Sequence, residues 1–337
     1  MKMRLMKMRQ VAFVLALALA VATLSVGAWA YAHERGFENA AAAPAGESVK
    51  AFLGRWDLTL KDGSREYPSW LELSQENGRL VAQFVGRWGN ARPLPKAELS
   101  NGKLTFVSPK EEEGAQADLV FEGTLSGKTL SGTVNGPDGK TWQWAGERAP
   151  ALVRAKPPKW GKAIPLFNGK DLTGWKMSDP NAEKVWKVEN GELMTPGNGP
   201  ELLNDGKYED FKLHVEFNCG ENANSGVYLR GRYEVQIETD SIEEPPSHHM
   251  GGVYGFLDPT PELPRKPGTW QTYDITLVGR NVTVVQNGQT IIDNKEIPGI
   301  TGGALDSHEE LPGPIYLQGS EKGRVAFRSI VLTPAEK

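Results

Sequence analysis

Turn signals cut this chain into runs too short for helices, and that constrains its fold more than any other feature. Lys61-Asp62-Gly63, Glu76-Asn77-Gly78, Asn101-Gly102 and Pro137-Asp138-Gly139 separate stretches rich in β-branched, aromatic and alternating residues. Such punctuation at roughly 8–12-residue intervals marks short antiparallel strands. Asn287-Gly288, between Val282–Gln286 and Thr290–Asp293, is a two-residue hairpin signal. Phe211, Leu213, Val215 and Phe217 alternate with Lys212, His214, Glu216 and Asn218, which gives a strand one apolar and one polar face. In the same half of the chain nothing of helical length and period competes.

With 337 residues the chain has room for about two domains. The first set of strands runs over Arg55–Leu60, Ser69–Leu73, Leu80–Val85, Lys103–Val107, Ala117–Phe121, Thr129–Val134 and Thr141–Ala145. It predicts a small all-β barrel or sandwich over residues 50–148. Trp142 and Trp144 share one strand face there, suited either to a packed core or to stacking on a sugar. Residues 149–159 read as a proline-stiffened linker. The second set covers Val185–Val188, Glu192–Thr195, Phe211–Asn218, Gly226–Leu229, Arg232–Glu238, Thr272–Val278, Val282–Gln286, Thr290–Asp293, Ile315–Gln318 and Val325–Leu332. Over 160–335 it predicts a two-sheet jelly roll with a polar concave face. The fold class is therefore all-β throughout.

The amino terminus reads as a targeting segment. Lys2, Arg4, Lys7 and Arg9 precede an apolar run from Val11 to Val26, and Ala28-Trp29-Ala30 offers a small-x-small cleavage site. A signal peptide over 1–30, a leader over 31–49 and export to the periplasm or the extracellular space are expected. Membrane attachment is expected only if that segment stays uncleaved. A net charge of -4 and the lack of a basic run after the leader make nucleic acid an unsuitable partner. Cys219 is the single cysteine and reads as a small packed residue.

The candidate site centres on Asn224–Glu238. After Gly231 the alternation puts Tyr233, Val235 and Ile237 on one face and Arg232, Glu234, Gln236 and Glu238 on the other. Catalytic candidates are Glu234, Gln236, Glu238 and His249, the last in the Gly- and Pro-rich stretch Pro245–Phe256. Substrate-binding candidates are Arg230, Arg232, Tyr254, Trp270 and Gln318, with Trp270 placed to stack on a pyranose ring and Tyr273 to face the core. No cofactor is expected, with calcium at the acidic cluster Asp240, Glu243 and Glu244 as the weaker alternative because calcium-loop spacing is absent; zinc is disfavoured because His248 and His249 are adjacent rather than spaced as chelating ligands. There is no Gly-x-Ser-x-Gly elbow, His-Glu-x-x-His, phosphate loop or dinucleotide fingerprint, which argues against serine hydrolase, zinc protease, kinase and dehydrogenase chemistry.

Several blocks, in order, carry a family resemblance. Leu166–Trp175 (LFNGKDLTGW), Asn224–Gln236 (NSGVYLRGRYEVQ), Gly268–Asp274 (GTWQTYD), Val282–Val284 with Asn287-Gly288, and Pro314–Gln318 with Phe327–Ile330 resemble the 3-keto-disaccharide hydrolase family. The resemblance spans about residues 160–335 and leaves the first domain without an assigned role. It implies a fold similar to concanavalin-like lectins and glucanases, a carbohydrate substrate, and cleavage of glycosides whose sugar is oxidised at C3, often by exported proteins. Family members often carry Asp-His or a similar pair after the Leu-Gln of the last block, where this chain has Gly319-Ser320-Glu321-Lys322; the departure bears on activity and substrate choice. A ketone at C3 acidifies the C2 hydrogen, so elimination needs a base near C2, a donor such as Arg230, Arg232 or His249 for the enolate oxygen, and an acid for the leaving group. Glu234 and Glu238 also permit a two-carboxylate hydrolysis. A secreted carbohydrate-binding module without catalysis is the alternative of another class.

Overall fold

The computed structural model describes residues 47–63, 65–87, 89–182, 185–239, 243–319 and 322–336. The expected signal segment and nearly all of the leader lie outside these residues, as do Asp240 and the Ser320-Glu321 pair. The described residues fall within one compact unit. Among the described residues helix is confined to two single turns, α1 (Glu47–Lys50) and α2 (Lys110–Glu113), and a 3-10 turn at Pro246–His248.

Nine strands form the first sheet: β1 (Gly54–Asp62), β2 (Arg65–Glu76), β3 (Arg79–Val85), β4 (Arg92–Pro93), β5 (Lys96–Ser100), β6 (Lys103–Ser108), β7 (Leu119–Ser126), β8 (Thr129–Asn135) and β9 (Thr141–Arg148). They run as a meander in which β9 returns to pair with β1, Leu60 opposite Trp144. The two ends of the ladder, β4 and β5, are consecutive in the chain, and the Leu94 N–H bonds the Ala82 carbonyl, which carries the pairing with β3 on to the start of β5. The sheet thus curls into a barrel, one of the two forms anticipated. Trp56, Leu58, Leu71, Phe106, Phe121, Leu130 and Trp144 fill its interior. Trp144 is a core residue, whereas Trp142 is only half-buried. Both β4 and β5 escaped the strand reading. Pro93 and Pro95 mask the first, and only Ala97 and Leu99 mark the second.

The second part adds β10 (Ile164–Pro165), β11 (Trp175–Met177), β12 (Lys187–Glu189), β13 (Glu192–Thr195), β14 (Leu202–Asn204), β15 (Phe211–Cys219), β16 (Asn224–Leu229), β17 (Tyr233–Glu238), β18 (Trp270–Val278), β19 (Asn281–Gln286), β20 (Gln289–Glu296), β21 (Tyr316–Leu317) and β22 (Val325–Pro334). One sheet has the order β12-β13-β22-β15-β18-β19-β20, with β10 on β22; the other is β11-β14-β21-β16-β17. This is the jelly-roll sandwich expected. Phe211, Leu213, Val215, Phe217 and Tyr273 of the first sheet meet Val227, Leu229, Tyr233, Val235 and Ile237 of the second in one buried core. The Tyr273 hydroxyl crosses that core to donate to the Gln236 carbonyl at 2.7 Å.

Trp70 joins the barrel to the sandwich. Its neighbours Leu71 and Ser69 turn the other way, so alternation sends the Trp70 indole out of the barrel and into the jelly-roll core, where it is fully buried. The ring meets Phe256 edge-on at 5.3 Å and lies against Gly299, where a Cβ would fall 2.2 Å from its Nε1. Segment 149–159 carries no strand and is pinned through Arg154, whose guanidinium forms a bidentate pair with Asp210 at 2.6 and 3.0 Å.

Candidate functional site

On β17 the core takes Tyr233, Val235 and Ile237, so period-2 geometry directs Glu234, Gln236 and Glu238 to the outer face. The hairpin register sets Gly226 opposite Gln236, Tyr228 opposite Glu234 and Asn224 opposite Glu238. β21 continues this face with Tyr316, which is opposite Tyr228, and the Gln318 N–H bonds the Gly226 carbonyl. Gly226 has a steric reason. The Glu234 side chain lies across it, so a Cβ there would fall 2.1 Å from the Glu234 Oε1.

This face is not solvated. Glu234, Gln236 and Glu238 are buried, and only Asn224, Tyr254 and Gln318 are partly exposed. The segment after β17 folds back along the strand edge and covers it. The Gly251 N–H bonds the Gln236 carbonyl, the Gln236 N–H the Gly252 carbonyl, and the Tyr254 N–H the Glu234 carbonyl. On the far side Thr301 closes the end of the strand, with its Oγ1 accepting from the Glu234 N–H at 3.1 Å.

Tyr228 and Glu234 meet in the middle of this face. The Tyr228 hydroxyl is 2.7 Å from the Glu234 Oε2 and also 2.7 Å from the Gly302 carbonyl, and its ring stacks on Tyr316 at 4.0 Å. Burial, and then the charge of Glu234, push the Tyr228 phenol well above its ordinary value, so the hydroxyl keeps its proton and donates. It has one proton for two oxygens. When Glu234 is ionised, Tyr228 donates to it; when Glu234 carries a proton, it donates to Tyr228, which then serves Gly302.

The two loop histidines make different contacts. His249, the expected catalytic one, has Nε2 3.0 Å from the Glu244 carbonyl oxygen and Nδ1 3.0 Å from the Glu262 Oε1. Burial alone would raise Glu262, but the hydrogen bonds and charges of His249 and Arg265 hold its carboxyl below the ordinary range. His248 stacks on Tyr254 at 4.2 Å and its Nδ1 meets Glu244 at 2.8 Å, while its buried Nε2 has no partner among the described residues. The Gln318 Oε1 is likewise buried without a partner. Two orphaned polar atoms beside the Glu234 face are features a bound polar molecule would satisfy.

Other expected members are not brought to this face. Arg230 sits at the hairpin turn with φ +53°, and its guanidinium donates to Tyr233 and to the Gly279 carbonyl, both at 3.0 Å. Arg232 is buried and engaged by Asp306 at 2.7 Å and the Leu311 carbonyl at 2.9 Å. Both act as braces for the turn. Trp270 lies on β18, in the other sheet, under the Arg328 guanidinium at 4.5 Å. Glu243 and Glu244 are exposed, and the described residues contain no group of three or more potential metal ligands. Cys219 is fully buried, which pushes its thiol up to about 11 and leaves it a packing residue. Tyr228, Tyr316 and Thr301 were not singled out. The signal for Tyr228 was present, since it and Glu234 are equidistant from Gly231, the centre of a tight hairpin.

Comparison with known proteins yields a family. Residues 162–333 match the model of the 3-keto-alpha-glucoside-1,2-lyase-like domain. No curated protein matches the chain. Among solved structures, three candidate glycosyl hydrolases from Parabacteroides distasonis align with it. One is 27% identical, covering 53% of this chain and 92% of its own, with a TM-score of 0.43. The second is 20% identical over 52% and 94% with a TM-score of 0.42, and the third 26% identical over 51% and 98% with a TM-score of 0.40.

Proposed function

We propose, from the premise that this chain belongs to the 3-keto-alpha-glucoside-1,2-lyase-like family, that it cleaves glycosides of 3-keto sugars by elimination followed by addition of water. The observation that carries this reading is the Glu234–Tyr228 pair, a buried carboxyl whose ionised and protonated forms are both hydrogen-bonded by one phenol. Glu234 takes the C2 hydrogen as a proton, and the C–H electrons form the enolate with the C3 oxygen. Collapse of the enolate expels the C1 oxygen substituent, which takes the proton from Glu234 and leaves as an alcohol beside the enone; water then adds at C1 while Glu234 accepts its proton, and Glu234 returns that proton to C2. The Gln318 amide and the His248 Nε2 are the groups on or beside this face suited to hold the sugar oxygens.

Action after export is part of the proposal, supported by the basic, apolar and small-x-small order of the first thirty residues.

The test is turnover of a 3-keto disaccharide in heavy water, alongside its unoxidised parent. Expected are cleavage of the 3-keto compound only, and deuterium at C2 of the released 3-keto sugar above an enzyme-free control. Cleavage of the parent at a comparable rate overturns the substrate class. Sugar binding without product overturns the enzyme reading and leaves a carbohydrate-binding module.

A further inference from the structure

The face that carries Glu234 is enclosed at one end and opens toward the other. On the β17 side residues 251–254 cover the strand edge, and Thr301 and Gly302 close over Glu234 and Tyr228. Burial then falls away along one cross-strand row. Gln236 on β17 is buried, Gln318 and Glu201 are half-buried, and Ser178 is exposed. The register makes the last three neighbours. Leu202 pairs with Leu317 and with Met177, so one step further along each antiparallel ladder Glu201 comes opposite Gln318 and Ser178 opposite Glu201. In keeping with this, the Ser178 N–H bonds the Glu201 carbonyl at 2.8 Å, and a Cβ on Gly319 would fall 2.4 Å from the Pro200 carbonyl oxygen.

Leu202 and Leu317 belong to the core, so alternation turns Glu201 and Gln318 to the outer face. There the Ser178 hydroxyl bonds the Glu201 carboxylate, and among the described residues no cation pairs with it. Lys176, opposite Leu203 in the adjoining row, lies 3.9 Å from Asp205 instead. The Gln318 Oε1 is buried without a partner among the described residues. Two acceptors on adjacent strands, about 5 Å apart, thus face the opening and ask for hydroxyl donors. A carboxylate accepts from a hydroxyl more strongly than a neutral oxygen does, so Glu201 favours a hydroxylated group over an apolar one. The inference rests on the elimination proposed above, in which the oxidised ring sits at Glu234; what extends along the opening row is then the C1 substituent. We propose that Glu201, oriented by Ser178, binds hydroxyls of the departing group and sets a preference for a sugar over a small alkyl leaving group.

The test compares two substrates that share the oxidised ring and differ in what leaves, 3-keto trehalose and methyl 3-keto-α-glucoside. Glu201→Gln keeps the shape and removes the charge. Its kcat/KM for 3-keto trehalose should fall about tenfold or more, while that for the methyl glucoside stays within about twofold. Ser178→Ala should show the same pattern at about threefold. Equal losses on both substrates, or none on either, overturn the proposal. Failure of the wild type to cleave both substrates sinks the elimination reading and not the subsite. Where either substrate is refused, calorimetric titration with unoxidised trehalose decides. Saturable binding that Glu201→Gln weakens about tenfold upholds the subsite. No binding below about 10 mM, or binding that the variant leaves unchanged, overturns it.

Discussion

Replacing Gly226 with alanine tests the site through its tightest contact. The new Cβ falls 2.1 Å from the Glu234 Oε1, 2.7 Å from its Cγ and 2.8 Å from its Cδ. Ordinary contact for a Cβ begins at 3.4 Å, so the carboxyl must retreat by more than an ångström. That movement draws it off the Tyr228 hydroxyl, now at 2.7 Å. A misplacement of about 1 Å at a reacting group costs roughly a hundredfold in rate, or about 2.7 kcal/mol of transition-state stabilisation. Folding should be spared. Gly226 is not at positive φ, its obstacle is the end of a flexible side chain rather than backbone, and alanine restricts the unfolded chain. The expected result is kcat/KM on a 3-keto disaccharide down about a hundredfold, with stability in urea within about 1 kcal/mol of wild type. In a Glu234→Gln background the same substitution should cost nothing further, because the group it displaces has lost its function. Activity of Gly226→Ala within about threefold of wild type would refute the reasoning, since a catalytic carboxyl cannot be moved that far without consequence.

Two predictions concern the fold. Trp70→Ala removes a fully buried indole from the shared core and should lower the unfolding free energy by about 3–5 kcal/mol in urea titrations; a loss under about 1 kcal/mol would show that the ring contributes little where barrel meets sandwich. Asp57 of the barrel faces Glu309 of the sandwich, and burial, then the charge of Glu309, push its carboxyl up to about 10, so it stays protonated in the fold while the unfolded chain loses that proton near pH 4. The folded state therefore binds the extra proton between these values and stability falls as pH rises. The melting temperature should decline from pH 5 to 9, and Asp57→Asn should flatten the decline; an unchanged slope in the variant would exclude Asp57 as its source.

Much of the architecture was legible because its signals are local. Phe211–Asn218 was read as a strand and Phe211–Cys219 is one, since eight alternating residues suffice to express a period of two. Asn287-Gly288 joins β19 to β20 as expected, with Asn287 in the left-handed region at φ +51°. The three-residue strands β11 and β14 cannot express a period and went unseen, whereas β12 and β21 were caught inside the runs Val185–Val188 and Ile315–Gln318.

The site was legible only where the strand rule applied. Glu234, Gln236 and Glu238 share a face because β17 is regular over all three. The same rule was extended to Arg232, but the chain reverses through Arg230 and Gly231, both at positive φ, and there alternation has no meaning. For Trp270 the rule gives a face but not a sheet, and its strand belongs to the opposite layer. Burial of the carboxylates was hidden for another reason: it depends on residues 251–254 pairing back onto β17, a contact set by tertiary folding rather than by pattern.

The barrel, to which the family resemblance assigns no role, is mechanically part of the site. The Arg87 carbonyl accepts the Gly303 N–H, and the adjacent Gly302 carbonyl accepts from Tyr228, which holds Glu234. The Ser307 hydroxyl donates to the Leu58 carbonyl at 2.5 Å and fixes the same loop to β1. On the other side Gly255, one residue from Tyr254, approaches Asn90 so closely that a Cβ would fall 2.7 Å from its Cα. Both segments that close over the Glu234 face therefore rest on barrel backbone. A phenol that must serve two oxygens at 2.7 Å needs the second of them, Gly302, held as firmly as the strand that carries Glu234. The jelly roll positions the carboxyl, and the barrel positions the carbonyl that shares its phenol.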